Sequence, residues 1–223
     1  NDVEAAISAW RRVQGECGED AETVNALADL LTTAGRWVEL AELLERASGR
    51  DTSRVTARLV RLADAYREHL DQPQGALAAY RGAFAIEPAN EGARTGLTGL
   101  LEVPACRPAA AAALAASYRG SGDWRRFVAL LPARLTDATD PRARLALLRE
   151  AGEILRDQLD DKADALVFLA QAFALSPRDQ ILEAQVVELN QIMDVTVALP
   201  SGKVAMLAVS RFCGKTRQGR GIG

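Results

Sequence analysis

The stretch LVRLADAYREHLDQPQGALAAYRGAFAIEP, residues 59–88, reads as two amphipathic helices joined by a tight turn. In its second half Ala76, Tyr80 and Ala83 recur at offsets of zero, four and seven, which places them on one helical face. Small residues let a neighbouring helix approach closely, and the aromatic ring fills the space beside them. Pro88 lacks a backbone donor and stops this helix from fusing with the next. The unit is a helical hairpin built to stack on neighbours.

The same offsets recur along the chain. They appear at Ala6, Trp10 and Val13, at Leu40, Leu44 and Ala47, and at Ala165, Leu169 and Ala172, the last again followed by a proline, Pro177. Helices are expected over 4–14, 21–33, 37–47, 91–101, 109–119, 124–135, 141–159 and 178–192, with a further one opening at Asp161. Asp20, Asp51 with Thr52, Asn90, and Asp140 followed by Pro141 supply the start signals. Trp37 and Trp124 lie 87 residues apart, and Ala76 and Ala165 lie 89 apart. Two copies of a unit of five helical segments therefore tile residues 4 to about 192. Five is odd, so strict up-down alternation fails unless the segments at 91–101 and 109–119 form a hairpin of their own. The opening helix lacks a partner before it, and the chain reads as a fragment of something longer.

Composition narrows the classes. With 48% hydrophobic and 26% charged residues the chain reads as a soluble folded protein, and the scarcity of aromatics (5%) beside abundant Ala, Leu and Arg favours an all-α fold. The net charge of -3 gives no global attraction to nucleic acid or an anionic membrane. All 30 acidic residues precede position 195, whereas Lys203, Arg211, Lys215, Arg217 and Arg220 follow it, so the body is acidic and the tail basic. Cys17, Cys106 and Cys213 are widely spaced, and His69 is the single histidine. That excludes a zinc motif and a disulfide framework, and points to a reducing, cytoplasmic setting. No apolar run is long enough for a bilayer span.

These residues resemble the tetratricopeptide repeat, a 34-residue helical hairpin with a Leu-Gly pair and Tyr in its first helix and Ala, Phe, Ala and Pro in its second. Leu27, Ala28, Leu31, Gly35, Trp37, Leu40, Leu44 and Ala47 take the family positions in one hairpin. Leu62, Ala63, Tyr66, Ala76, Tyr80, Ala83 and Pro88 take them in the central one. Leu114, Ala115, Tyr118, Gly122, Trp124, Phe127, Leu131 and Arg134 do so in the second copy, followed by Ala151, Gly152, Leu155, Ala165, Leu169, Ala172 and Pro177. The interval from Tyr66 to Ala76 is one residue longer than that from Leu31 to Leu40, so some turns carry an insertion. The resemblance implies an all-α fold, a right-handed α-solenoid of stacked hairpins over residues 1–192, with a non-helical tail at 193–223.

Carried over from the family, the positions lining a concave surface are Asn25 and Asp29, Asp64 and Arg67, and Arg149, Glu153 and Arg156. They imply a mixed-charge groove for an extended peptide or a partner helix, against the alternative that each is a solvated surface charge. The family's Lys and Asn array for a C-terminal carboxylate is absent, because Ala109, Ala112 and Ala116 occupy one such helix.

Other signals favour structure over chemistry. His69 reads as a surface histidine at a negative helix end, with no nucleophile motif near it. Asp160, Asp161, Glu16, Glu19 and Asp20 read as turn and capping residues. Gly214-Lys215-Thr216 lacks the glycine a phosphate loop needs, since Val209 stands there. The tryptophans fall at hairpin positions and read as packing residues, not as a platform for bases.

From Met193 the helical period stops. DVTVAL, Pro200-Ser201-Gly202 and KVAMLAV give a β-hairpin signal, and residues 193–209 look like the opening hairpin of a ubiquitin-like domain. The tail is the truncated start of a second domain, a basic arm for an acidic partner, or an unrelated joined sequence. The expectation is a non-enzymatic scaffold that binds a protein or peptide, with no cofactor or metal and no membrane, nucleic acid or small-molecule substrate. The alternative is a structural segment of a larger multidomain protein with no ligand of its own.

Overall fold

The computed structural model describes residues 2–17, 20–47 and 52–193, the side chains at 17, 52, 53 and 193 excepted. Every regular element among them is an α-helix: α1 (Asp2–Cys17), α2 (Ala21–Thr33), α3 (Trp37–Arg46), α4 (Thr52–Glu68), α5 (Pro73–Ile86), α6 (Glu91–Leu100), α7 (Arg107–Ser121), α8 (Trp124–Ala129), α9 (Leu131–Asp137), α10 (Pro141–Asp157), α11 (Lys162–Leu175) and α12 (Gln180–Met193). The caps expected at Asp51 and Glu19, the hairpin signal of 194–209 and the rest of the tail lie outside the described residues. The chain divides into two compact units after Asp137.

Local chemistry sets the helix starts. The Asp20 carboxylate accepts from the Thr23 backbone N–H at 2.7 Å, and Asn90 accepts from Ala93 at 2.9 Å. Asp140 accepts from Arg142 at 3.1 Å, with Pro141 at the first helical position, and Asp161 accepts from Asp164 at 3.1 Å. Each bond satisfies a donor the helix start leaves orphaned. Both copies turn the chain in the same two ways. Gly35 and Gly122 adopt φ of 68° and 70°, and Asp71 and Asp160 both adopt φ of 50°, the left-handed region open to Gly and tolerated by Asp. The insertion expected between Tyr66 and Ala76 is this Asp turn.

In the first unit successive helices pack against each other from α1 to α7, and α7 packs on both α8 and α9. Short connections between neighbours make these pairs antiparallel. Helices two apart form layers. The Arg61 guanidinium of α4 donates to Asp29, the Ala28 carbonyl and Thr32 of α2, at 2.7, 2.7 and 2.6 Å. α4 packs on α6 and α5 on α7, and Arg126 of α8 reaches Glu91 of α6 at 3.3 Å. One layer is therefore α2, α4, α6 and α8, and the other contains α5 and α7, with α9 against α7.

The core is made where the sequence places small beside large. Ala76, Tyr80 and Ala83 have no exposed surface, and Tyr80 runs across to α6. A Cβ on Gly96 would lie 2.0 Å from the Tyr80 ring, so only glycine admits the ring there. In α1 Ile7 is buried and Ala6 and Trp10 are half-buried, while Val13 is 38% exposed, so the last member of the Ala6, Trp10 and Val13 stripe turns away from the packed face.

Two expectations need correction, and one alternative is settled. The helix expected over 124–135 is broken at Leu130 into α8 and α9, because Pro132 has no N–H and its ring crowds the carbonyl four residues back. Glu16 lies in the last turn of α1, not in a loop. The segments 91–101 and 109–119, as α6 and α7, do form a packed pair, and this shifts α7 into the layer of α5.

The second unit contains α10, α11 and α12, of which α10 and α11 form a close hairpin and α12 packs on α11. Ala165, Leu169 and Ala172 are fully buried, as their counterparts in the first unit are. A Cβ on Gly152 would meet the Leu169 side chain at 2.6 Å, so the small residue of the family pair is required at this crossing.

Candidate functional site

The residues carried over as a binding surface fall into two groups, one in each unit. In the first unit α2 and α4 share a layer and bring Asn25, Asp29, Asp64 and Arg67 to it. Asn25 is exposed, and the Asp29 side chain is 74% exposed while it accepts from Arg61. Asp64, 44% exposed, accepts from the Tyr80 hydroxyl at 2.5 Å, with the Arg67 guanidinium 3.7 Å away. Burial and this bond to Asp64 push the Tyr80 hydroxyl well above the usual phenol range. Arg67 also donates to Glu68 at 2.5 Å and lies over Gly99 of α6, where a Cβ would come within 2.7 Å of it.

In the second unit Arg149 donates to Glu153 at 3.0 Å and to Asp179 at 3.3 Å. Arg156 is bidentate to Asp157, at 2.6 and 2.9 Å, and this hydrogen bonding holds the Asp157 carboxyl below its ordinary range. All of the nominated residues but Asn25 thus sit in ion pairs or charge-assisted hydrogen bonds within their own unit. These pairs hold the nominated charges in place within each unit.

Several residues of consequence escaped the sequence reading. Arg94 of α6 is 6% exposed, and its guanidinium donates to Ser117 at 3.0 Å, Ser121 at 3.1 Å and Glu91 at 2.9 Å while lying over the Tyr118 ring. Ser117 in turn donates to the Pro88 carbonyl. Hydrogen bonding from Arg94, helped by Arg126, holds the Glu91 carboxyl below its usual range. An arginine on an apolar-flanked helix next to a serine-bearing one is the only sequence trace of this clamp. His69, exposed at the end of α4, stacks on Trp37 with ring centroids 3.5 Å apart and planes 2° apart. Nothing in the local sequence around His69 points to this aromatic partner. Tyr66 donates to Glu45 of α3, and burial followed by that bond pushes its hydroxyl up to about 12.

The alanines at 109, 112 and 116 belong to α7, which layers with α5 and not with α4. Their lack of Lys and Asn therefore says nothing about the α2, α4 and α6 surface. Among the described residues no group of three or more His, Cys, Asp or Glu is placed to hold a metal ion, and no helix is long and apolar enough to cross a membrane.

No protein-family model matches the sequence, and no curated protein matches it. Solved structures similar to it include a TPR repeats protein of Bacteroides fragilis, 12% identical over 85% of this chain and 91% of that one, with a TM-score of 0.41. The TPR2AB domain of yeast Sti1, in a pHSP90 complex, is 16% identical over 86% of this chain and 78% of that one, with a TM-score of 0.37. A thermophilic TPR protein of Thermus thermophilus is 18% identical over 85% and 91%, with a TM-score of 0.33. With α4 and α5, and α10 and α11, closed through Ala76, Tyr80 and Ala83 and through Ala165, Leu169 and Ala172, the architecture of the described helices is TPR-like.

Proposed function

We propose that the chain is a non-enzymatic scaffold that binds a protein or peptide partner, with the α2 and α4 surface of the first unit as its principal contact. The observation that carries the reading is the organised polar surface of that layer. Asp64 is held by a buried phenol and Asp29 by Arg61, so their positions are set at little entropic cost to binding. Arg149, Glu153 and Arg156 form the corresponding patch of the second unit. Residues 1–192 are the binding array and 193–223 a distinct basic tail, in a cytoplasmic setting consistent with the cysteine usage. Capturing a partner with immobilised protein, and repeating the capture with Asp64→Arg and Arg149→Glu, tests the assignment. Loss of the partner by about 10-fold or more in either variant, with unchanged thermal melting, supports it. Full retention by both removes the surface.

A second reading is a structural segment that packs against other parts of a longer protein. The internal pairing of nearly every nominated charge favours it, since paired charges offer a ligand less. It predicts that no partner is captured and that the isolated protein self-associates.

A further inference from the structure

The Arg94 side chain is only 7% exposed, and each of its three nitrogens has an acceptor. Nε donates to Ser117 at 3.0 Å, Nη1 to Glu91 at 2.9 Å and Nη2 to Ser121 at 3.1 Å. Ser117 is itself buried and held by the Pro88 carbonyl, and the Glu91 carboxylate is shared with Arg126 at 3.3 Å. Ser121 differs from both. It is exposed, it ends α7, and Gly120 and Gly122 flank it with nothing within 4 Å of a Cβ built on either. A hydroxyl open to solvent thus rests on a buried guanidinium.

We propose that Ser121 is a phosphorylation site and that Arg94, with Arg126, receives its phosphate. In the step itself Ser121 Oγ attacks the terminal phosphorus of a nucleoside triphosphate. The bond from that phosphorus to its bridging oxygen breaks, the nucleoside diphosphate leaves with the electron pair, and the hydroxyl proton passes to the base of a serine kinase. Glycine on both sides makes the last turn of α7 its weakest, so the serine can leave the helix for a kinase cleft. The unmodified hydroxyl donates to the carbonyls of Ser117 and Tyr118 at 3.1 and 3.3 Å. A phosphoserine has no proton for them and is repelled by the negative end of α7, so the phosphate turns from the carbonyls toward the cations. Oγ already lies 3.1 Å from Nη2, which brings the phosphate oxygens within reach of the guanidinium without movement of the backbone. Glu91 and Asp123 oppose the new charge, and Arg94 and Arg126 favour it. A tethered dianion outcompetes the single charge of Glu91, whose side chain is 63% exposed and returns to water. The inference stands whether or not the scaffold reading does.

Phosphorus NMR on the full chain, with phosphoserine placed at position 121 during synthesis, tests the receptor. The second ionisation of the phosphate, near about 6 in a free phosphopeptide of residues 119–124, falls about 1 pH unit lower in the folded chain. Arg94→Gln returns it to the peptide value. Arg126→Gln, at a side chain 53% exposed, leaves thermal melting unchanged and raises the midpoint part of the way, which guards against an unfolded Arg94 variant. An arginine-directed serine kinase, chosen because Arg119 stands two residues before the acceptor, labels the unmodified chain at Ser121, and Ser121→Ala loses that label. A peptide-like midpoint in the folded chain overturns the proposal, as does a midpoint that ignores both arginines or a chain left unlabelled at Ser121.

Discussion

Tyr80 joins three helices. It leaves α5, packs its ring into the gap at Gly96 on α6, and spends its hydroxyl on Asp64 of α4. A methyl group at 96 and the ring cannot coexist, so Gly96→Ala forces the ring out or the helix away. The expected loss is about 3 kcal/mol or more, against a helix-propensity gain of about 1 kcal/mol. Gly120→Ala is the control, because nothing lies within 4 Å of a Cβ there; it gains about 0.5–1 kcal/mol. Urea denaturation of the two variants measures both. The phenols also set the alkaline limit. Tyr66 and Tyr80 hold their protons above the ordinary phenol value, whereas in the unfolded chain they lose them near 10. Above that value the unfolded state binds fewer protons, so stability falls as pH rises from about 10 through about 12 for Tyr66. Tyr66→Phe flattens this fall in a series of melts between pH 9 and 12. A fall of unchanged depth in that variant contradicts the assignment.

Among the elements, α6 is the least helix-like in sequence, with Gly92, Gly96 and Gly99 in ten residues, and it is held by what surrounds it. Val60, Tyr80 and Arg67 occupy the spaces the glycines leave, and Arg94 ties it to α7. Arg94→Lys keeps the charge but cannot reach Ser117, Ser121 and Glu91 in one plane; it costs about 2 kcal/mol and raises exchange in α6 and the start of α7 first. The helix starts were legible because Asp20, Asn90, Asp140 and Asp161 act on donors two or three residues away, and local chemistry needs only local sequence. The break between α8 and α9 follows from Pro132, which the helical spacing of Phe127 and Leu131 runs across. The sockets at Gly96 and Gly99 were not legible, because the residues that fill them come from elsewhere in the chain.

At the largest scale the decisive fact is the layer in which each helix of the first unit falls. In the first unit α2 layers with α4, while α7, which carries the same offsets 87 residues on, layers with α5, so positions matched by sequence do not present equivalent surfaces. The repeat offsets were visible from Ala76, Tyr80 and Ala83, and the all-α architecture followed from them. The layer of each helix was not visible, since it depends on whether α6 pairs forward or back. For the same reason the nominated charges could be named but their internal pairing could not: Arg61 meets Asp29 across 32 residues of sequence. The layer assignment decides which surface a partner meets, and distances between spin labels test it most directly. Labels at the exposed positions Ala57 on α4, Ala78 on α5 and Ala112 on α7 leave the core untouched. The account predicts that 78 to 112 is the short distance, about one interhelical spacing of 8–10 Å plus the label arms, and that 57 to 112 is longer. A shorter distance from 112 to 57 than from 112 to 78 would place α7 in the layer of α4 and contradict it.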